Sequence, residues 1–169
     1  MGNWLVCFDD NLVPQNNCLV YSFGIDYDFR FDDAMAARGC TVYSFDPSML
    51  DTADHKRGDR VFFKRIGISD KDDDHFVPRV DEMDIEGYEW DVTRDLLDSG
   101  ILSSVPQFLV EWHLFTDFPP RERVPDAVDT YFRLRDMGFQ SFDIRSLYRG
   151  SPTSMIMQAK VSYLNTKRN

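Results

Sequence analysis

The feature that most constrains this chain is an alternation. Short apolar runs of strand length recur, and between them lie segments with helical spacing that close on a glycine. The runs are CLVYSF (18–23), CTVYSF (40–45), RVFFKRIGI (60–68), VDEMDI (80–85), QFLVEWHLF (107–115), FQSFDI (139–144) and SMIMQAKVSYL (154–164). The first three are almost continuously apolar and bounded by Gly, Asp or Pro, as in strands covered on both faces. Segment 27–39 sets Phe31, Ala34, Met35 and Arg38 on one helical face and ends at Gly39. Segment 89–100 repeats the design and closes on Gly100. Segment 121–138 places Val124, Val128, Tyr131, Leu134 and Arg135 at helical spacing before Gly138. Helices commonly stop on such a glycine. The repeat predicts an α/β domain with a mostly parallel sheet. The last two runs have no helical pattern between them and are expected to pair antiparallel.

Composition narrows the class. With 169 residues, 43% of them hydrophobic and 14% aromatic, the chain has enough apolar surface for one packed domain spanning 1–169. Its net charge is 19 − 29 = −10, which works against binding a nucleic-acid backbone. No apolar run reaches the ~18 residues of a membrane span. The first residues lack the basic and apolar regions of a signal peptide, and Val6 stands where a myristoylation signal needs Ser or Thr. As it stands, the chain reads as cytoplasmic. Cys7, Cys18 and Cys40 show no CxxC spacing, so no zinc site is expected. Cys18 and Cys40 each open an apolar run and are expected as buried thiols. A Cys7–Cys18 bridge is the alternative in an oxidising compartment.

In open parallel sheets ligands bind beyond the carboxyl ends of the strands. Those ends here carry Gly24 with Asp26, then Asp46, Asp70, Asp84 with Glu86, and Glu111 with His113. The loop SFGIDYD has one glycine, whereas a dinucleotide fingerprint needs three, so a plain turn is the simpler reading. Asp46 follows Gly24 by roughly 20 residues, the spacing of an acid that accepts a ribose diol; Asp-Pro-Ser is equally a good turn starter. In FLVEWHLF, period two turns Glu111 and His113 to the same face. They are either a satisfied core pair or part of a site. The stretch DEMDIEGYEW crowds five carboxylates into ten positions. Asp84 and Glu86 alternate away from Met83 and Ile85, while Glu89 and Asp91 are accounted for by the dipole of the helix they open.

Four motifs, CLVYSFGIDYD with GCTVYSFDPSM, DHKRGDRVFFKRIGISD, MDIEGYEW and FLVEWHLF, together resemble the methyltransferase-like protein 24 group. That group is related to the FkbM-type S-adenosylmethionine-dependent methyltransferases. The resemblance runs over about residues 4–165 and implies a class I, Rossmann-like methyltransferase fold with an antiparallel C-terminal strand. It implies S-adenosylmethionine as cofactor, its methionine part near Ser22 and Gly24, its ribose on Asp46, and its adenine at 68–70, with Ser69 and Asp70. Asp84, Glu86, Glu111 and His113 would line the transfer site, with His113 or Asp84 as base. A divalent metal on Asp84, Glu86 and Glu111 would suit hard carboxylate ligands, although the site needs none.

The chain departs from the group in two places, one of them Glu82 in VDEMDIEG, where the group tends to carry an apolar or basic residue. The other is a short connection: between Asp70, which ends the third run, and the fourth run at 80–85 only nine residues remain, 71–79. Stretched at ~3.3 Å each they reach about 30 Å, just enough for a bare crossover, where a dozen or more residues are usual. The shortening predicts a sheet flank without its helix, which offers a surface for a homodimer. The implied function is O-methyl transfer to a small-molecule or glycan hydroxyl. A non-catalytic methyltransferase-like binding domain is the alternative, and a metal-dependent hydrolase built on Asp84, Glu86, Glu111 and His113 is a third. A secretory setting follows if an upstream segment is missing.

Overall fold

The first apolar run forms β1 (Leu19–Phe23) and the second β2 (Thr41–Phe45). They pair in parallel, Leu19 opposite Thr41 through Phe23 opposite Phe45. The connection between them is α1 (Arg30–Ala37), the short crossover that a parallel pair requires. Strand β3 (His55–Arg57) lies antiparallel on β4 (Val61–Lys64), and β4 runs parallel to β2. Strand β5 (Glu82–Met83) runs parallel to β1, giving the order β3-β4-β2-β1-β5. The computed structural model describes residues 4–9, 12–13, 18–67, 82–85, 87–151 and 154–167. The chain divides into two units, Met1–Met83 and Asp84–Asn169.

Within the first unit the parallel register decides the cysteine chemistry. Cys18 and Cys40 directly precede β1 and β2, and Thr41 N–H donates to the Cys18 carbonyl at 2.9 Å. That pairing brings their Cα atoms to 4.5 Å, and the two are joined by a disulfide. The expectation of two buried thiols is therefore corrected, as is the alternative Cys7–Cys18 bridge. Cys7 stands outside the disulfide. Register between neighbouring strands made the choice, and the spacing of cysteines along the chain does not reveal register.

Period two gives the sheet of this unit two different faces. Val20, Val42, Val61 and Phe63 are buried, and helix α1 buries Phe31, Asp32 and Met35. Of the expected helical face, Ala34 is half-buried and Arg38 is exposed. On the other face Tyr21, Tyr43 and Phe62 stand in register and stack at 5.8 and 5.3 Å between ring centroids. These rings are half-buried, and Leu19 beside them is 51% exposed. Strand β3 was not expected. Its three residues, HKR, are all exposed and form an edge strand with no apolar signal.

The second unit runs α2 (Glu89–Ser99), a 3-10 turn at Ile101–Ser104, β6 (Gln107–Phe115), α3 (Val124–Met137), β7 (Phe139–Ser151) and β8 (Ser154–Asn165). Strand β8 lies between β6 and β7 and is antiparallel to both. The hairpin-like finish is as expected, with longer strands than the apolar runs. Helices α2 and α3 end at Gly100 and Gly138. Leu96, Leu97, Phe108, Val110, Trp112, Leu134, Phe139 and Tyr163 form the core. Helix α3 departs from expectation. It buries Ala127, Thr130 and Leu134, and leaves Val124, Val128 and Tyr131 43%, 49% and 46% exposed.

Candidate functional site

Two groups of residues carry chemistry, one in each unit. In the first unit the chain leaves β1 through Gly24 at φ 78°, then Asp26 at 42° and Tyr27 at 61°. Left-handed backbone suits glycine but is uncommon for the other two, and it persists where the surroundings hold it. Asp46, at the end of β2, supplies the hold. Its Oδ2 accepts the Asp26 backbone N–H at 2.8 Å, and its Oδ1 accepts Ser48 N–H at 2.7 Å and Ser48 Oγ–H at 2.6 Å. Gly24 N–H reaches the Phe45 carbonyl at 3.0 Å, and the Tyr27 hydroxyl donates to Asp51. The loop is thus clamped to the ends of two parallel strands.

Asp46 is only 3% exposed. A carboxylate has about four acceptor positions, and the described residues fill three of them on Asp46, which acts both as a turn residue and as a strand-end acid with its fourth position unfilled among the described residues. Ser22 is placed differently from the expectation. It is buried on the α1 side, where Ser22 and Ser44 hydroxyls meet Asp32, with Ser44 Oγ at 2.5 Å. Burial pushes the Asp32 carboxyl above its ordinary range, and the two hydroxyls pull only partly against it. Ser69, Asp70 and Glu86 lie outside the described residues.

In the second unit the expected pair on β6 is buried, Glu111 to 9% and His113 to 0% exposure. Two residues that sequence reasoning did not single out complete the group. Lys160 on β8 is the register partner of Glu111, and its Nζ lies 2.5 Å from Glu111 Oε2 and 3.1 Å from Asp84 Oδ2. Glu89, the first residue of α2, is fully buried. Its Oε1 accepts His113 Nδ1 at 2.8 Å and Ile85 N–H at 3.0 Å, and its Oε2 accepts Gly87 N–H at 2.9 Å. Gly87 makes that turn with φ 111°, where a Cβ would meet the Phe118 ring at 2.9 Å. On the other side of the imidazole, His113 Nε2 lies 4.0 Å from Asp84 Oδ1.

The environment moves these groups in defined directions. Burial, and then a hydrogen bond with Asp84, push the Glu111 carboxyl up to about 7 despite Lys160. Burial opposes charge on His113, but the Glu89 hydrogen bond and the charges of Glu89, Asp84 and Glu111 outweigh it, so His113 is raised. Lys160 is raised in the same way, with Asp84 and Glu111 overcoming its burial. The result is a buried cluster in which Glu111, His113 and Lys160 each keep their proton to higher pH than usual. Asp84, Glu89 and His113 also bring one ligand atom each within 4.8 Å of one another. A cation there would compete with the Lys160 ammonium on Asp84 and with the donors already on Glu89.

Residues 1–86 match the family described as a methyltransferase domain. The chain belongs to that family. Its first unit is accordingly the Rossmann-like part of a class I methyltransferase fold, as expected from the sequence. The probable methyltransferase-like protein 24 of Rattus norvegicus is 28% identical over 140 residues, covering 66% of this chain and 38% of that protein. The Homo sapiens protein of the same name is 29% identical over the same shares. The chain thus spans 38% of the length of each of these relatives. Among solved structures, a 16S rRNA (adenine(1408)-N(1))-methyltransferase from Catenulisporales acidiphilia gives a TM-score of 0.41 at 16% identity, over 93% of this chain and 90% of that one. TYW2 of M. jannaschii, in complex with AdoMet, gives 0.40 at 13%, over 89% and 70%. Family membership rests on residues 1–86, not on these structural likenesses.

Proposed function

We propose that the chain uses S-adenosylmethionine to methylate a hydroxyl of a small molecule or glycan. The observation that carries this reading is the clamped loop at the ends of β1 and β2, in a chain of the methyltransferase family. The residues present fit the cofactor. Gly24 opens a loop whose backbone is already fixed, and Asp46 has its fourth acceptor position, unfilled among the described residues, for a ribose hydroxyl. Ser69 and Asp70 are proposed at the adenine from the resemblance. When bound, the cofactor supplies a methyl group on an electrophilic sulfonium. His113 accepts the acceptor's proton at Nε2, with Asp84, Glu86 and Glu111 as the acids of the transfer site. Lys160 balances the charge of the described carboxylates. The net charge of −10 favours an uncharged or cationic acceptor over a nucleic acid.

One observation favours a second reading, cofactor binding without turnover: three of the acceptor positions on Asp46 are filled within the protein. Calorimetric titration with S-adenosylmethionine and S-adenosylhomocysteine, on the native chain and on Asp46→Ala, tests the cofactor site. Micromolar binding lost in a folded Asp46→Ala protein supports it. No binding to folded native protein overturns it. Binding with no methyl transfer to any member of a hydroxyl-acceptor panel selects the second reading.

A further inference from the structure

The geometry points to Glu89 as the positioning residue that fixes which nitrogen of His113 carries the proton. This deepens the reading in which His113 is the base, and it rests on that reading for its catalytic meaning. An acid at the first position of a helix is ordinarily explained by the helix dipole, which favours exposed acids there by a few tenths to ~1 kcal/mol. That account does not fit Glu89, which is 0% exposed and has both oxygens engaged. Burying a carboxylate is costly unless it is fully hydrogen-bonded. Here it is met by two backbone N–H groups and one imidazole nitrogen.

Because an ionised carboxylate only accepts, the imidazole nitrogen against it must donate. Nδ1 therefore holds the proton, and Nε2, on the side of Asp84, is left as the acceptor. A side-chain amide at position 89 sets its N–H against a backbone N–H in either orientation. With its oxygen at the Oε1 position it keeps Ile85 N–H, His113 Nδ1–H and the 3.2 Å bond from Gly87 N–H, but its nitrogen opposes that Gly87 N–H, now 2.9 Å from Oε2. With its oxygen at the Oε2 position, its nitrogen faces Ile85 N–H and His113 Nδ1, and the imidazole must then accept at Nδ1 and donate at Nε2. An imidazole held that way cannot take a proton at Nε2. The same carboxylate thus folds the turn at Gly87 and orients the base. The charged groups facing His113 are Glu89 on α2, Asp84 after β5 and Glu111 on β6. Lys160 on β8 adds its charge through Asp84 and Glu111.

Long-range proton–nitrogen NMR of the whole chain reads the tautomer directly, and the chain has only three histidines to assign. In the native protein at alkaline pH, His113 is expected with its proton on Nδ1. A neutral His113 protonated on Nε2 overturns the proposal without any variant. Glu89→Gln removes the charge facing Nδ1 and is expected to move the His113 titration to lower pH. A folded Glu89→Gln protein with tautomer and midpoint unchanged also overturns it. Titration with S-adenosylmethionine in parallel separates the two readings: failure to bind native protein removes the proposed cofactor function, while the tautomer result stands independently.

Discussion

Glu111 gives the second unit a pH dependence whose sign is fixed. Its folded value of about 7 lies above the ordinary 4.5, so between those values the folded chain binds more protons than the unfolded one. Stability contributed by this group therefore falls as pH rises through that window and levels off above it. His113, raised from 6.5, acts in the same direction: its contribution is present below 6.5 and lost as pH rises through the folded value. Glu111→Gln removes the first part. Thermal melts at pH 5 and pH 8 should differ less for Glu111→Gln than for the native chain; an unchanged difference would mean that Glu111 ionises normally. Lys160→Met should cost about 3 kcal/mol in urea unfolding, because it strands Asp84 and Glu111 without their cation. Adding Glu111→Gln to that variant should recover part of the loss, and a fully additive double variant would disprove the coupling. At this scale the sequence showed three of the five residues of the cluster, Asp84, Glu111 and His113. Alternation along β6 put Glu111 and His113 together, whereas Lys160 became visible only once β8 was known to pair with β6. Ser22, two residues before Gly24, turns to the buried face of β1 and meets Asp32, a contact that the sequence did not reveal.

Elements were readable where the period was unambiguous. The apolar runs at 18–23, 40–45 and 107–115 became β1, β2 and β6. Helix α3 shows the failure. The expected face was Val124, Val128, Tyr131, Leu134 and Arg135. Of these the structure buries Leu134, together with the smaller Ala127 and Thr130. Helix α3 packs against α2 and β7, and how side chains of different size fill such a contact is something that a count of apolar residues does not register. Leu134 is 1% exposed and Val128 is 49% exposed. Leu134→Ala should therefore cost about 2–5 kcal/mol in denaturant unfolding, and Val128→Ser no more than about 0.5 kcal/mol. Comparable losses at both positions would mean that the Val128 stripe is the packed one. The edge strand β3 had no sequence signal, since its stability comes from pairing with β4 and from the ion pair of Arg57 with Asp33 at 2.7 Å.

At the scale of the whole chain, the family match over 1–86 coincides closely with the first unit, Met1–Met83. The shared part is the clamped loop and its parallel strands, and the acid–base cluster of Asp84, Glu89, Glu111, His113 and Lys160 belongs to the second unit. In the proposed reaction the tasks are divided along the same line: holding the cofactor is a binding task, and removing a proton is a base's task worth about 10²–10⁴ in rate. The two tasks should then fail independently. His113→Ala should keep S-adenosylmethionine affinity within about twofold while lowering transfer of a labelled methyl group to a hydroxylated acceptor by about 10²-fold or more. Asp46→Ala should do the reverse at the first step, losing cofactor affinity while leaving the His113 resonances in place. If His113→Ala abolished cofactor binding in a folded protein, the cluster would belong to the cofactor site, and the acceptor's proton would have to leave by another route.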